Sequence, residues 1–391
     1  MQPLSVANTE ENISPNVQQW IDNGGYAVTK DGTYVAVHNL HNTYVPASII
    51  KIATTLAALE ILGPAFRFET SFFLDTRDNL YIKGMGDPFL ISEEVGAIIR
   101  KLKELGCKRI NNIYLDNTAF DIKTTADGGG SSKNPYDAQN TALAVNFNTV
   151  NVEKSKAGNV TSAEEQTPTL PLMAELAEKV TPGIHRINIS WKDTAGGDSA
   201  ISQYAGELFR AFQKSENVHG DGKIELRKAP DILRPFYIHQ SSKTLEDIIG
   251  PLMLYSNNFI ANQIFLAVGA VKHGYPATWE KGRMAVAGYL HGNFNLTGSE
   301  MKIIEGSGLS RRNRISPHAM IQLLDSFRPH SHLLPRENGM LLKSGTLNKV
   351  YSYAGYFVGS ERMDSFVLML NQGRNTRNKV LLELKQTYHK N

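Results

Sequence analysis

A chain of 391 residues is longer than one ordinary hydrophobic core supports, so two domains are expected. With 41 Lys and Arg against 38 Asp and Glu, the net charge is only +3 and no basic run follows the chain, which argues against a nucleic-acid partner. A single cysteine, Cys107, excludes an intrachain disulfide and a cysteine-rich zinc site, and reads as a small buried apolar residue.

No apolar run of about 18 residues is present, so no transmembrane helix is predicted. The first residues, MQPLSVANTEENISP, lack both the basic and the apolar parts of a secretory leader. On that ground the chain reads either as cytoplasmic or as a mature form with a new start Met. Residues 26–30 and 33–40 alternate as β-strands around Lys30-Asp31-Gly32, a hairpin signal. Residues 49–62, IIKIATTLAALEIL, predict a buried helix that Gly63-Pro64 stops.

From residue 66 the pattern changes to short strands at 68–74 and 79–83, a helix at 92–105 and a strand at 109–115. The stretch 121–137 is polar and Gly-rich and predicts a long loop. Alternation predicts extended chain over 141–152, and 154–166 reads as a second loop. Helices are predicted at 201–214, at 244–269 with a break near 255–258, at 280–290 and at 317–327. Strands at 339–344, 351–358 and 365–371 and a closing helix from 376 end the chain. A hairpin at one end and three strands at the other predict one antiparallel sheet flanked by helices. The expected organisation is a catalytic domain from 1–66 and 238–391, with an inserted strand-rich accessory domain at 67–237.

Ser48 and Lys51 stand one turn apart at the start of the buried 49–62 helix, which suits an activated serine nucleophile with an amine base. Ser256-Asn257-Asn258 interrupts two apolar helical segments, so Ser256 and Asn258 can face one cleft. Lys343-Ser344-Gly345-Thr346 ends an apolar strand, and Gly345 leaves room for a second backbone to approach. Two decoys show how cheap each motif is alone. Ser299-Glu300-Met301-Lys302 repeats S-x-x-K after the turn-like 295–298, and Ser215-Glu216-Asn217 repeats S-x-N at the polar end of a helix.

The ordered set SxxK, SxN and KSG matches the motifs of penicillin-binding proteins and class A β-lactamases. The chain resembles the class C low-molecular-mass penicillin-binding proteins, the D-alanyl-D-alanine carboxypeptidases/endopeptidases of the S13 peptidase type. The resemblance extends to Gly84-Met85-Gly86-Asp87-Pro88, Asn134-Pro135-Tyr136, Ala142-Leu143-Ala144-Val145-Asn146 and Tyr204-Ala205-Gly206-Glu207-Leu208. It also includes Gly306-Ser307-Gly308-Leu309-Ser310-Arg311 and Ala354-Gly355-Tyr356. It implies an α/β (α+β type) transpeptidase fold like that of serine β-lactamases, with a trimmed insertion between SxxK and SxN. Ser344 stands where the family usually has Thr, which keeps the hydroxyl.

The implied activity is a serine DD-peptidase acting on peptidoglycan peptides and acylated by β-lactams, outside the cytoplasm in the periplasm, with its leader removed. The implied catalytic residues are Ser48, Lys51, Ser256, Asn258 and Lys343. Ser344, Gly345 and Thr346 would bind substrate; Arg311, Arg312 and Arg314 read either as a solvated turn or, for Arg311 beside the SGLS loop, as a further contact to an anionic group. No cofactor and no metal is expected, and no histidine is given a role. The nearest alternatives are a serine β-lactamase and a non-catalytic penicillin or muropeptide receptor. A receptor needs no Lys51, and no Glu-x-x-Asn deacylation element stands in a short loop before SxN.

Overall fold

The computed structural model describes residues 15–192, 198–294, 296, 299–359 and 362–390. The first 14 residues, read above for a leader, and residues 295, 297 and 298 before the Ser299 decoy lie outside these. The chain divides into two compact units. Met1–Leu62, Ile249–Ala261 and Arg283–Asn391 make the first, and Gly63–Ile248 with Asn262–Gly282 makes the second.

In the first unit six strands form one sheet, in the order Arg336–Glu337, Met340–Leu347, Val350–Val358, Met363–Leu370, Gly24–Lys30 and Thr33–His38. Every pair is antiparallel. The expected assembly from both chain ends is what forms, with Gly24 opposite Leu370 and Val28 opposite Phe366. The short Arg336–Glu337 strand was not foreseen. Asp31 (φ 52°) and Gly32 (φ 72°) turn the amino-terminal hairpin. Both angles suit the tight turn that matches strand twist, which is why Asp-Gly sits there. Alternate residues Tyr26, Val28, Phe366, Leu368 and Leu370 pack with Val380, Leu384 and Tyr388 of the closing helix Arg377–Lys390.

The helix Lys51–Leu62 is buried from Lys51 through Leu59. Its Ile, Ala, Thr and Leu residues leave no polar face, as a helix surrounded by protein requires. The helix Pro317–Phe327 begins at Ser316, whose hydroxyl accepts from Ala319 N at 3.0 Å. This cap meets one of the N–H groups that a helix start leaves unpaired.

The second unit holds a five-stranded sheet in the order Tyr237–Gln240, Glu69–Leu74, Leu80–Gly84, Ile113–Asp116 and Ile224–Leu226. Its first two pairings are antiparallel and its last two parallel. Ile98, Ile99 and Leu102 of Ser92–Glu104 and Tyr204, Leu208 and Phe209 of Asp198–Ser215 pack in its core. Cys107 is buried in that core with a free thiol. A three-stranded sheet, Val160–Ser162, Thr149–Lys154 and Gly183–Asn188, completes the unit.

The strand expected from residue 141 starts only at Thr149. Asn146, Phe147 and Asn148 take φ of 48°, 60° and 52°, which no strand accommodates. The second unit also takes in Asn262–Gly282, where Leu266 and Ala270 pack with Phe120, Ile122 and Trp279.

An accessory domain at 67–237 has a direct test in limited proteolysis. First cuts are expected within 121–137 or 154–166, where the chain is largely exposed and poor in regular structure. Early cleavage inside Lys51–Leu62 would contradict that division.

Candidate active site

Ala47 takes φ 50°, and Ala47–Ile50 forms a 3-10 turn that runs into the helix Lys51–Leu62. The α-helix therefore begins later than the apolar spacing predicts, and Ser48 sits in the tighter turn before it. Two glycines allow this. A Cβ on Gly345 would lie 2.7 Å from Pro46 O and 3.0 Å from Ser48 N. One on Gly308 would lie 2.1 Å from Ala47 O and 2.9 Å from Ser48 N. Any larger residue at either position would push the Ser48 backbone away.

Lys51 is fully buried. Its Nζ lies 3.1 Å from Ser48 Oγ, 2.8 Å from Asn258 Oδ1 and 2.5 Å from Ser307 O. The two carbonyl oxygens can only accept, so each must receive an N–H. The third direction points at Ser48. A charged amine would donate there, and a neutral amine would accept the Ser48 proton through its lone pair. Losing the proton thus leaves no group of the cluster unsatisfied. Burial holds the Lys51 pKa well below its ordinary value, the nearby Lys343 ammonium lowers it further, and the Glu305 carboxylate opposes both.

Lys343 is 2% exposed and donates to Ser344 O at 3.0 Å. Burial lowers its pKa to about 8. Ser256, at φ 54°, occupies the break between Leu245–Tyr255 and Asn258–His273. Asn257 Oδ1 accepts from Ile260 N at 3.0 Å and caps the second helix. The triplet therefore divides its work: Asn257 caps, while Asn258 reaches Lys51.

Ser344 stands opposite Tyr353 in the sheet and Thr346 opposite Tyr351. Thr346 is exposed, and its Oγ1 accepts from Arg377 Nη1 at 2.7 Å. The same nitrogen donates to Gly345 O at 3.1 Å. Arg311 is exposed and donates to Asn348 O at 2.6 Å. The structure thus joins Ser48, Lys51 and Asn258 by hydrogen bonds, couples Lys343 to Lys51 by charge, and sets Gly345 against Ser48. Arg311 is tied instead to the Asn348 turn.

Glu305 was missed in the sequence. It is fully buried, and it accepts from Ser307 N at 2.8 Å, Ser307 Oγ at 2.5 Å, Gly308 N at 2.7 Å, Ser310 N at 3.1 Å and Asn313 Nδ2 at 2.9 Å. A buried carboxylate needs such a set of donors. They curl the loop so that Ser307 O faces Lys51 and Gly306 O receives Thr54 Oγ1 at 2.8 Å. An acid directly before Gly-Ser-Gly was the available signal, since successive backbone N–H groups in such a turn form an anion cradle.

The decoys show no comparable setting. Ser299 is in a turn before the two-residue strand Met301–Lys302. Ser215 is exposed at a helix end and donates to Phe212 O.

The D-alanyl-D-alanine carboxypeptidase of Actinomadura sp. (strain R39) is 27% identical over 325 residues, covering 72% of this chain and 59% of that protein. The D-alanyl-D-alanine carboxypeptidase DacB of Haemophilus influenzae is 24% identical over 399 residues, covering 86% of this chain and 82% of that protein. The crystal structure of penicillin binding protein 4 from Haemophilus influenzae superposes with a TM-score of 0.78 at 20% identity, covering 95% of this chain and 98% of that one. The fold is therefore that of the penicillin-binding proteins. Residues 15–180 and 197–338 match the profile of the D-Ala-D-Ala carboxypeptidase 3 (S13) family, and over that span, with a serine, a buried lysine and an asparagine joined as described, the chain belongs to this family.

Proposed function

We propose that the chain is a serine DD-peptidase that works outside the cytoplasm, in the periplasm, on peptidoglycan stem peptides and is acylated by β-lactams. One observation carries this reading: two of the three hydrogen-bond directions of the buried Lys51 amine are taken by carbonyl oxygens, and the third points at Ser48 Oγ. A base aimed at one hydroxyl is the arrangement that nucleophilic catalysis needs.

Ser48 Oγ attacks the carbonyl of the penultimate D-alanine, and its proton passes to Lys51. The N–H groups of Ser48 and Thr346 hold the developing oxyanion, each such donor contributing roughly 3–4 kcal/mol. The C–N bond then breaks, and Ser256 relays a proton to the leaving D-alanine amine. Water hydrolyses the Ser48 ester to complete the cycle. Asn258 holds Lys51 and the substrate amide.

Lys343, Ser344 and Thr346 bind the terminal carboxylate. Because Thr346 Oγ1 accepts from Arg377, its own hydrogen is left to donate elsewhere. The Arg336–Glu337 strand covers only Met340 and Leu341 on its side. Among the described residues no strand covers 343–347 on that side, so an extended peptide can pair there. Arg311, exposed beside the Asn348 turn, is assigned to an anionic group farther along the peptide.

The test is release of D-alanine from a peptide ending in D-Ala-D-Ala, followed against pH. The expected kcat/KM profile is a bell. It falls on the acid side as Lys51 gains a proton, and again as pH rises through about 8, where Lys343 loses the charge that attracts the carboxylate. In Lys343→Arg the alkaline fall should vanish, because guanidinium stays charged. No D-alanine release at any pH sinks the proposed activity, and an unchanged alkaline limb in Lys343→Arg removes Lys343 from the carboxylate site.

A further inference from the structure

His41, Glu300 and His318 are remote in sequence but come together in the first unit, with one ligating atom from each within 4.8 Å of the others. His41 Nδ1 is 2.9 Å from Glu300 Oε1, and the His41 and His318 rings are 4.9 Å apart. Glu300 is buried, and its Oε1 also accepts from Ser316 Oγ at 3.2 Å. His318 opens the helix Pro317–Phe327 and is bracketed by Tyr34 OH, 2.8 Å from Nδ1, and Gln322 Nε2, 2.7 Å from Nε2. Its backbone N–H donates to Leu40 O at 3.0 Å, which holds it beside His41.

We propose that these three side chains form a divalent-metal site, suited to Zn²⁺ with water as the fourth ligand. Two imidazoles and one carboxylate are a common protein donor set for zinc. Tetrahedral bonds of about 2.0–2.1 Å place ligand atoms about 3.3 Å apart, so the observed cluster needs only small side-chain shifts. His41 can supply them, because its side chain is 66% exposed. The ion takes the place of the His41–Glu300 hydrogen bond and of one of the two hydrogen bonds to His318.

Whichever His318 nitrogen binds the ion, the other keeps Tyr34 or Gln322 as its partner. That outer hydrogen bond fixes a ligating imidazole's tautomer and orientation. The site is a brace and not a reacting centre. His41 leads to Ser48 and Glu300 leads to Glu305, and Tyr44 of the first segment exchanges backbone hydrogen bonds of 3.0 and 3.1 Å with Ile315, whose strand pairs with Met301–Lys302 of the second. A bound ion joins, at a second point, the two segments that converge on the nucleophile.

The test uses the full chain stripped of metal with chelator and titrated calorimetrically with Zn²⁺ alone. One equivalent should bind, and Co²⁺ in its place should show the visible absorption of a four-coordinate ion. His41→Ala, an exposed change that spares the fold, should lose at least about tenfold in affinity. Zn²⁺ should raise the parent's Tm by about 2 °C or more and leave that of His41→Ala unmoved. His318→Ala should abolish the Co²⁺ spectrum. Substoichiometric binding by the parent, or a full equivalent bound equally well by His41→Ala, would overturn the site and leave the cluster as a plain His–Glu hydrogen bond.

Discussion

Benzylpenicillin is expected to add once to the parent protein, at Ser48, and not at all to Ser48→Ala. The β-lactam amide imitates the D-Ala-D-Ala bond, and Ser48 Oγ lies 3.1 Å from the buried Lys51 amine that can take its proton. The two decoy serines, Ser299 of the second S-x-x-K and Ser215 of the second S-x-N, sit in different settings. Ser299 is turn-borne and Ser215 spends its hydroxyl on Phe212 O. Intact mass before and after incubation reads the result, and Ser299→Ala should label like the parent. An adduct mapped to Ser299 or Ser215 would overturn the assignment of the nucleophile.

The second large effect separates the two lysines, to which the proposed mechanism gives opposite duties. Lys51→Arg is expected to cut acylation by about a hundredfold or more, the usual scale of general-base catalysis. A guanidinium keeps the positive charge but does not deprotonate in proteins, so only the base is removed. Lys343→Arg should keep measurable acylation and mainly weaken substrate binding, because positive charge is its contribution. Acylation rates with a fluorescent penicillin, alongside circular dichroism to check folding, compare the two variants. Near-parental acylation by Lys51→Arg would mean that another group is the base.

What could be read from the chain follows from how local the cause was. Ser48, Lys51 and Asn258 were legible because polar residues interrupt apolar helices, and a polar side chain held there has few places to point. The hairpin at Asp31-Gly32 was legible because its turn chemistry is contained in two residues. The stretch 141–148 misled because burial, not pairing, set its apolar pattern. A Cβ on Gly84 would come within 2.3 Å of Ala142 O, so those residues are packed as irregular backbone. Glu305 and Arg377 read as ordinary loop and helix-start charges. Only the fold buries Glu305 under its donors and lays Arg377 across Gly345 and Thr346.

The pairing of Gly24–Lys30 with Met363–Leu370 has a consequence for the life history of the molecule. Ser48 and Lys51 follow closely on the strand Gly24–Lys30, yet the sheet that supports them needs Met363–Leu370, far along the chain. Contacts so distant along the chain close late, since the loop entropy must be met before they form. A chain that ends before residue 340 therefore carries Ser48 and Lys51 without the strand Met340–Leu347 that sets Gly345 against Ser48. On the proposed mechanism, a species in which Met340–Leu347 has not yet joined the sheet should not be acylated.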